Sequence, residues 1–161
     1  MSRSTIRPLT RGDWPDVARI YAEGLATGVA TFEVDVPSWP VWDAGHLRAP
    51  RLVAEADGRV VGWLAATRVS SRDCYRGVVE HSVYVDGRAR GLGVGRALLE
   101  RFVAEAPDHG IWTIQTSIMA GNAPSLALHE SVGFRVVGRR ERIAQRDGVW
   151  HDTVLLELRL P

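Results

Sequence analysis

The chain has 161 residues, 45% of them hydrophobic and 24% charged, which suits a single domain over residues 1–161 and excludes a disordered or low-complexity chain. A formal net charge of +1 supplies no field that would draw nucleic acid, and no apolar run approaches the roughly 18 residues of a bilayer span. Cys74 is the only cysteine, so an internal disulfide is excluded, and without an apolar leader at the N-terminus the expectation is a cytoplasmic protein that binds neither nucleic acid nor membrane.

In chain order, Ile6 to Leu9 reads as a short first strand. Thr10 or Asp13 caps the helix that follows, with Pro15 in its first turn and Val17, Ile20, Tyr21 and Leu25 at helical spacing. Residues 28–37 form a loop that holds Phe32 and Glu33, and residues 40–47 form a second helix ahead of Pro50. Strands over 51–56 and 59–69 join through Asp57-Gly58, a strong hairpin signal. A polar connection over 70–75 leads to a central strand over 76–85. The pattern then predicts a helix over 94–106, closed by Pro107 and Gly110, and a strand over 111–118. A short helix runs from Asn122 to about Ser131, with Pro124 near its start. Strands over 134–145 and 150–160 pair about Asp147-Gly148. This order is neither a doubly wound sheet nor a set of repeats. It reads as an α+β fold with a mixed, mostly antiparallel sheet.

The chemistry concentrates where the central strand, Glu80-His81-Ser82-Val83-Tyr84-Val85, runs into Arg90-Gly91-Leu92-Gly93-Val94-Gly95-Arg96. A glycine-rich turn that opens a helix places backbone N–H groups at the helix's positive end, where a pyrophosphate can sit. The spacing excludes two common nucleotide sites. A dinucleotide fingerprint needs G-x-G-x-x-G, and position 96 is Arg. A P-loop needs Lys, and all 20 basic residues are Arg, which also removes Schiff-base chemistry. What remains is R-G-x-G-x-G, with Arg88, Arg90 and Arg96 available for charge-assisted contacts to phosphate. The plainer alternative is a turn that binds nothing.

Arg90 to Gly95 resembles the pyrophosphate-binding signature of the GCN5-related N-acetyltransferases, which bind acetyl-coenzyme A. The segment Asn122 to Phe134, with Ser125, Leu128-His129-Glu130 and Gly133-Phe134, resembles that family's second motif. Thr31-Phe32-Glu33, Glu80 to Val85, Leu128-His129-Glu130 and Trp150-His151-Asp152 together are similar to the phosphinothricin and methionine sulfoximine acetyltransferase branch. The resemblance spans nearly the whole chain. It implies a fold in which the two strands beside the glycine helix splay apart and admit pantetheine, with about four flanking helices. It also implies acetyl-CoA as cosubstrate, a small-molecule amine as acceptor, and a homodimer. Trp39, Trp42 and the final hairpin are candidates for the dimer interface, against the plainer role of tryptophan as core.

Amine acetylation needs a neutral amine, a polarised thioester carbonyl and a protonated leaving thiolate. Glu80 is the candidate base; its alternative is an ion pair with an arginine such as Arg76. Val83, Tyr84 and Val85 are the strand positions expected beside pantetheine, Tyr84 with the opposite facing. Asn122 either bonds the pantetheine amide or caps its helix, and Ser125 is a further coenzyme contact. His129 lies two helical turns after Asn122 on the same face. It stands where many family members carry Tyr as the acid for the thiolate; its alternative is a buried, hydrogen-bonded histidine. Phe32, Glu33, Arg72, Tyr75 and Trp150 are the candidates for the amine pocket, Arg72 through a bidentate contact to a substrate anion. His151 and Asp152 are candidates for a local polar pair. Cys74 lacks a motif for a covalent intermediate, so direct transfer in a ternary complex is favoured. No metal-ligand spacing is present, and no metal is expected. The competing readings are acetylation of a peptide or protein amine and a noncatalytic acyl-CoA sensor.

Overall fold

The computed structural model describes residues 3–161. The elements are β1 (Thr5–Pro8), α1 (Trp14–Ala26), α2 (Trp39–Gly45), β2 (Leu52–Ala56), β3 (Arg59–Arg68), β4 (Val78–Val85), α3 (Val94–Glu105), β5 (Thr113–Met119), α4 (Ala123–Ser131), β6 (Arg135–Arg146) and β7 (Val149–Arg159). Their order is the expected one. The strands form one seven-stranded sheet in the order β1-β2-β3-β4-β5-β7-β6.

Every neighbouring pair is antiparallel except β4 and β5. That parallel pairing spans only Val78, Val79 and Glu80, opposite Thr113, Ile114 and Gln115. Beyond it β4 stays on β3 as far as Val85, while β5 stays on β7 as far as Met119. The two central strands therefore part at Glu80. The expected α+β sheet with splayed central strands and four α-helices is the one observed.

The sheet is covered on both faces. Leu64, Ala66, Val79, Ile114 and Leu156 pack against Leu98, Leu99 and Phe102 of α3. On the other face Val53, Trp63 and Ala65 pack against Val17, Ile20, Tyr21 and Trp42. This double burial explains the unbroken apolar run of β3, which is buried from Val60 to Ala66. Each fully buried leucine such as Leu98 contributes ~1.5–3 kcal/mol, so α3 holds the glycine turn at a fixed place over β4.

Some expectations shift in detail. The backbone and hydroxyl of Thr10 both donate to Asp13, at 2.8 and 3.1 Å. The first turn is thereby tightened over residues 11–13, and α1 proper begins at Trp14. β4 begins at Val78 rather than Arg76, because Gly77 lies directly against Trp112, where a Cβ would come within 2.1 Å of the ring. Of the two interface candidates in α2, Trp42 is buried in the core and Trp39 is half-buried beside it. They stack on each other at 5.7 Å and pack on Trp14, and Trp42 also meets Trp63 edge-on. Arg51, itself buried, bonds Asp43 and the carbonyls of Asp43, His46 and Leu47, which pins α2 to the sheet and encloses Trp42. The edge strand β6 is exposed along most of its length, and its arginines blunt that edge. Among the described residues no helix is long and apolar enough to cross a membrane.

Candidate active site

The parting of β4 and β5 makes a gap whose walls are His81, Ser82 and Val83 on one side and Thr116 to Ile118 on the other. Asn122, Ser125 and His129 of α4 close over it. Towards α3 the gap shares Val83, Tyr84, Asn122 and Ser125 with a cleft of about 570 Å³. Towards the segment between α1 and α2 it shares His81, Ser82 and Tyr84 with a cavity of about 200 Å³ that contains Glu80.

The cleft is floored by the glycine turn. Arg90, Gly91, Gly93, Val94, Gly95 and Arg96 line it, whereas Leu92 points away and is 59% exposed. Gly91 and Gly93 have φ of +76° and +81° with open space where a Cβ would go. They are required for conformation and not for room. Gly95 is the reverse case: a Cβ there would meet Leu128 at 3.1 Å, so it permits α3 to approach α4 closely. Gly93 caps α3, and the first-turn amides lack intrahelical acceptors, which suits a pyrophosphate. Asp86 anchors the approach to the turn by accepting from the Arg88 amide and from Arg19, both at 2.9 Å. Arg96 is paired with Glu100 at 2.7 Å and Arg88 lies 3.5 Å from Asp86, while Arg90 forms no ion pair among the described residues.

Val83 and Val85 face α3 and pack on its core, and both also line the cleft. Past Glu80, the β4 edge that faces β5 is unpaired, so its amides and carbonyls are available to an added chain. Tyr84 faces the other way, stacked on Trp63 at 4.9 Å and edge-on to Tyr21 at 5.0 Å. Burial pushes its phenol pKa up.

Asn122 caps α4, its Oδ1 accepting from the Ser125 amide at 3.3 Å, and its Nδ2 donates to the Val29 carbonyl at 3.3 Å. The capping role is thus realised, with the side chain still on the wall of both cleft and gap. His129 is 1% exposed. Its Nδ1 lies 2.7 Å from the Ser125 carbonyl and its Nε2 lies 2.9 Å from His81 Nε2. Both ring nitrogens are engaged by the protein, the arrangement of a buried, hydrogen-bonded histidine and not of a free donor facing the gap. Burial lowers the His129 pKa.

Glu80 is half-buried, and its carboxylate takes no hydrogen bond or ion pair from the described residues. Arg76 pairs instead with Asp73 at 3.3 Å and stacks on Trp112 at 5.3 Å. Glu80 faces hydroxyls: Thr31, Thr67, Ser82, Ser117 and Thr153 line the same cavity. Of the amine-pocket candidates only Phe32 lines it, edge-on to His151 at 5.6 Å. Glu33 is exposed beside it. Arg72 and Tyr75 pack on each other at 5.8 Å in an exposed turn, and Trp150 sits under Arg142 on the hairpin. None of these four lines the cavity. Cys74 is exposed and lines neither space. His151 and Asp152 share no hydrogen bond: His151 meets Phe32, and Asp152 accepts from the Arg142 amide and from Arg139, which together with the nearby charge of His151 lower its pKa.

The hydroxyl lining and the His81 contact carry no motif in the sequence. Ser82 was within reach, since it is two residues from Glu80 on a strand and so shares its face. Thr31, Thr67 and Thr153 come from three distant segments, and no local pattern joins them to Glu80. Among the described residues no cluster of three or more His, Cys, Asp or Glu could hold a metal ion.

The chain resembles known proteins along most of its length. The model of the Acetyltransferase (GNAT) family matches residues 14–134. The phosphinothricin N-acetyltransferase of Alcaligenes faecalis is 37% identical, over 95% of this chain and 81% of that protein. The L-methionine sulfoximine/L-methionine sulfone acetyltransferase of Pseudomonas paraeruginosa is 32% identical, over 98% of this chain and 95% of that protein. The crystal structure of a GNAT superfamily phosphinothricin acetyltransferase from Sinorhizobium meliloti in complex with AcCoA superposes with a TM-score of 0.87 at 31% identity, covering 98% of this chain and 88% of that one.

Proposed function

The chain belongs to the GNAT acetyltransferase family and is an acetyl-transferring enzyme, and from that premise we propose that it transfers the acetyl group of acetyl-CoA to the α-amine of a small amino acid-like molecule of the phosphinothricin, methionine sulfoximine or methionine sulfone type. One observation carries this reading. The unpartnered Glu80 carboxylate faces a hydroxyl-lined cavity of about 200 Å³ that shares its walls with the gap between β4 and β5. A cavity of that size suits a small polar amine, whereas a peptide acceptor would need an open groove and a sensor would need no base.

In this reading the first-turn amides of α3 and Arg90 hold the pyrophosphate. The free edge of β4 from Val83 to Val85 receives pantetheine as an added strand, with Asn122 and Ser125 as the facing wall. Acetyl-CoA supplies the thioester. Glu80 takes a proton from the ammonium form of the substrate, directly or through one water, so that the nitrogen lone pair becomes available. A β4 amide near Ser82 to Tyr84 stabilises the oxyanion. The C–N bond forms, the C–S bond breaks, and the thiolate takes up the second proton, which the nitrogen loses as it becomes an amide. His129 is the wall of the gap and not its acid, because both its ring nitrogens are already engaged. The exposed Val136, Ile143 and Val149 of the hairpin support a homodimer, and the lone, exposed Cys74 suits the reducing cytoplasm.

The test is release of coenzyme A thiol from acetyl-CoA with a panel of amines: phosphinothricin, methionine sulfoximine, methionine sulfone, plain amino acids and short peptides. The expected result is turnover with the small analogues. No thiol release from any amine, despite coenzyme binding, would sink the reading.

A further inference from the structure

The segment between α1 and α2 is a wall of both working spaces. Val29 and Ala30 line the cleft, and Ala30, Thr31 and Phe32 line the Glu80 cavity. Residues 27–33 belong to no helix or strand. Their own bonds are short-range: Thr27 Oγ1 to the Gly24 carbonyl at 2.7 Å, the Val29 amide to Thr27 Oγ1 at 3.3 Å, and the Glu33 amide to Thr31 Oγ1 at 3.1 Å. Such a segment has little to hold its place against thermal motion.

Besides a side-chain bond between Thr31 and Tyr84, its long-range hydrogen bonds among the described residues come from two side chains that hold its carbonyls. One is Asn122, on the Val29 carbonyl. The other is Arg146, at the end of β6. Its Nη1 donates to the Thr31 carbonyl at 3.0 Å and its Nη2 to the Gly28 carbonyl at 2.7 Å. Arg146 is half-buried and has no carboxylate partner among the described residues. Its planar fork, with fixed N–H directions, spans two carbonyls three residues apart, which an ammonium cannot do. Gly28 contributes to the fit, since its φ is +72° and a Cβ there would sit 3.4 Å from Nη2. Beside it, His151 of β7 meets Phe32. The hairpin thus grips the segment at three points, two of them through one guanidinium.

We propose that Arg146 is a positioning residue that latches residues 28–32 in place and so sets the amine-side and coenzyme-side walls together. The proposal rests on the reading of the two spaces as the amine and coenzyme sites.

Hydrogen exchange on the unliganded full chain tests the latch without any substrate. In Arg146→Ala the amides of residues 28–32 should exchange about tenfold faster or more, with β3 and β4 unchanged. Steady-state kinetics with methionine sulfone should show KM for the amine rising about tenfold and KM for acetyl-CoA rising less, with kcat nearly kept. Arg146→Lys, which keeps the charge and loses the fork, should fall between, and added guanidinium should restore part of the loss in Arg146→Ala. Unchanged exchange at 28–32 overturns the proposal. So does faster exchange spread equally over β3 and β4, since that reports a general loss of stability. If Arg146→Ala does not fold, Arg146→Lys carries the same comparison. If the native chain acetylates no amine, the functional reading fails, while exchange and acetyl-CoA titration still decide the latch.

Discussion

His81 and His129 face each other through their Nε2 atoms at 2.9 Å, with both rings buried. The Ser125 carbonyl can only accept, so His129 Nδ1 carries the proton in the 2.7 Å bond to it. His129 Nε2 is therefore the acceptor and His81 Nε2 the donor. His81 Nδ1 is buried without a hydrogen-bond partner of ordinary geometry, and the Gln115 backbone is the polar group that the ring meets besides His129. Two neutral rings thus tie β4 to α4 across the gap, and Phe102 and Phe134 pack around them.

This pair makes stability depend on pH. Burial first and His129 second lower the His81 pKa to about 3, and burial lowers His129 as well. In the unfolded chain both titrate near ~6.5. Below that pH the unfolded chain binds more protons than the folded one, so stability is lost as pH falls from ~6.5 towards the folded values. Each full proton of difference gives ~1.4 kcal/mol per pH unit. Denaturant unfolding between pH 7 and pH 5 should show the decline, and His81→Gln should flatten it. An unchanged slope in that variant would remove the pair as its cause.

Glu80→Gln keeps the size of the side chain and removes the proposed base. The expected loss in kcat is ~10²–10⁴-fold, with acetyl-CoA affinity unchanged, because Glu80 lines the smaller cavity and not the cleft. Turnover assays beside calorimetric titration separate the two. Native turnover in Glu80→Gln would take the residue out of the mechanism.

The glycines of the turn should fail in different ways. Gly93→Ala meets no atom but forces a side chain into the left-handed region, at ~1–2 kcal/mol, and should weaken acetyl-CoA binding by turning the first-turn amides. Gly95→Val drives into Leu128 and should cost ~1–3 kcal/mol of stability by overpacking. Thermal unfolding with and without acetyl-CoA distinguishes them: equal Tm losses and equal coenzyme shifts in both would contradict this division.

Two leucines of one segment should behave oppositely. Leu98 is 0% exposed beneath α3, and Leu98→Ala should cost ~2–5 kcal/mol. Leu92 is 59% exposed on the turn, and Leu92→Ala should stay within ~0.5 kcal/mol. Urea midpoints give both values directly.

The strands and helices were readable because their signals are local. The period of α1, the Asp57-Gly58 and Asp147-Gly148 turns and the proline near the start of α4 each act within a few residues. Shifts at boundaries came from contacts between distant segments. Gly77 ends the approach to β4 because Trp112 occupies its side-chain space, and no window around residue 77 contains that fact. Trp39 and Trp42 look alike as core or interface in sequence; Arg51 and Trp63 enclose Trp42 in the core and leave Trp39 half-buried.

By itself the sequence determined the element order, the glycine turn at Arg90 to Gly95 and Glu80 on the strand that leads to it, since turn conformation and strand alternation are set by neighbouring residues. Only the tertiary structure decided what those residues face. It parted β4 from β5 at Glu80. It turned both nitrogens of His129 onto protein partners. It left Arg72, Tyr75 and Trp150 outside the cavity and brought Thr31, Thr67, Thr153 and Arg146 to it or to its wall. Side-chain facing across 50 or 100 residues depends on register and splay, and these emerge when the whole sheet packs against its helices.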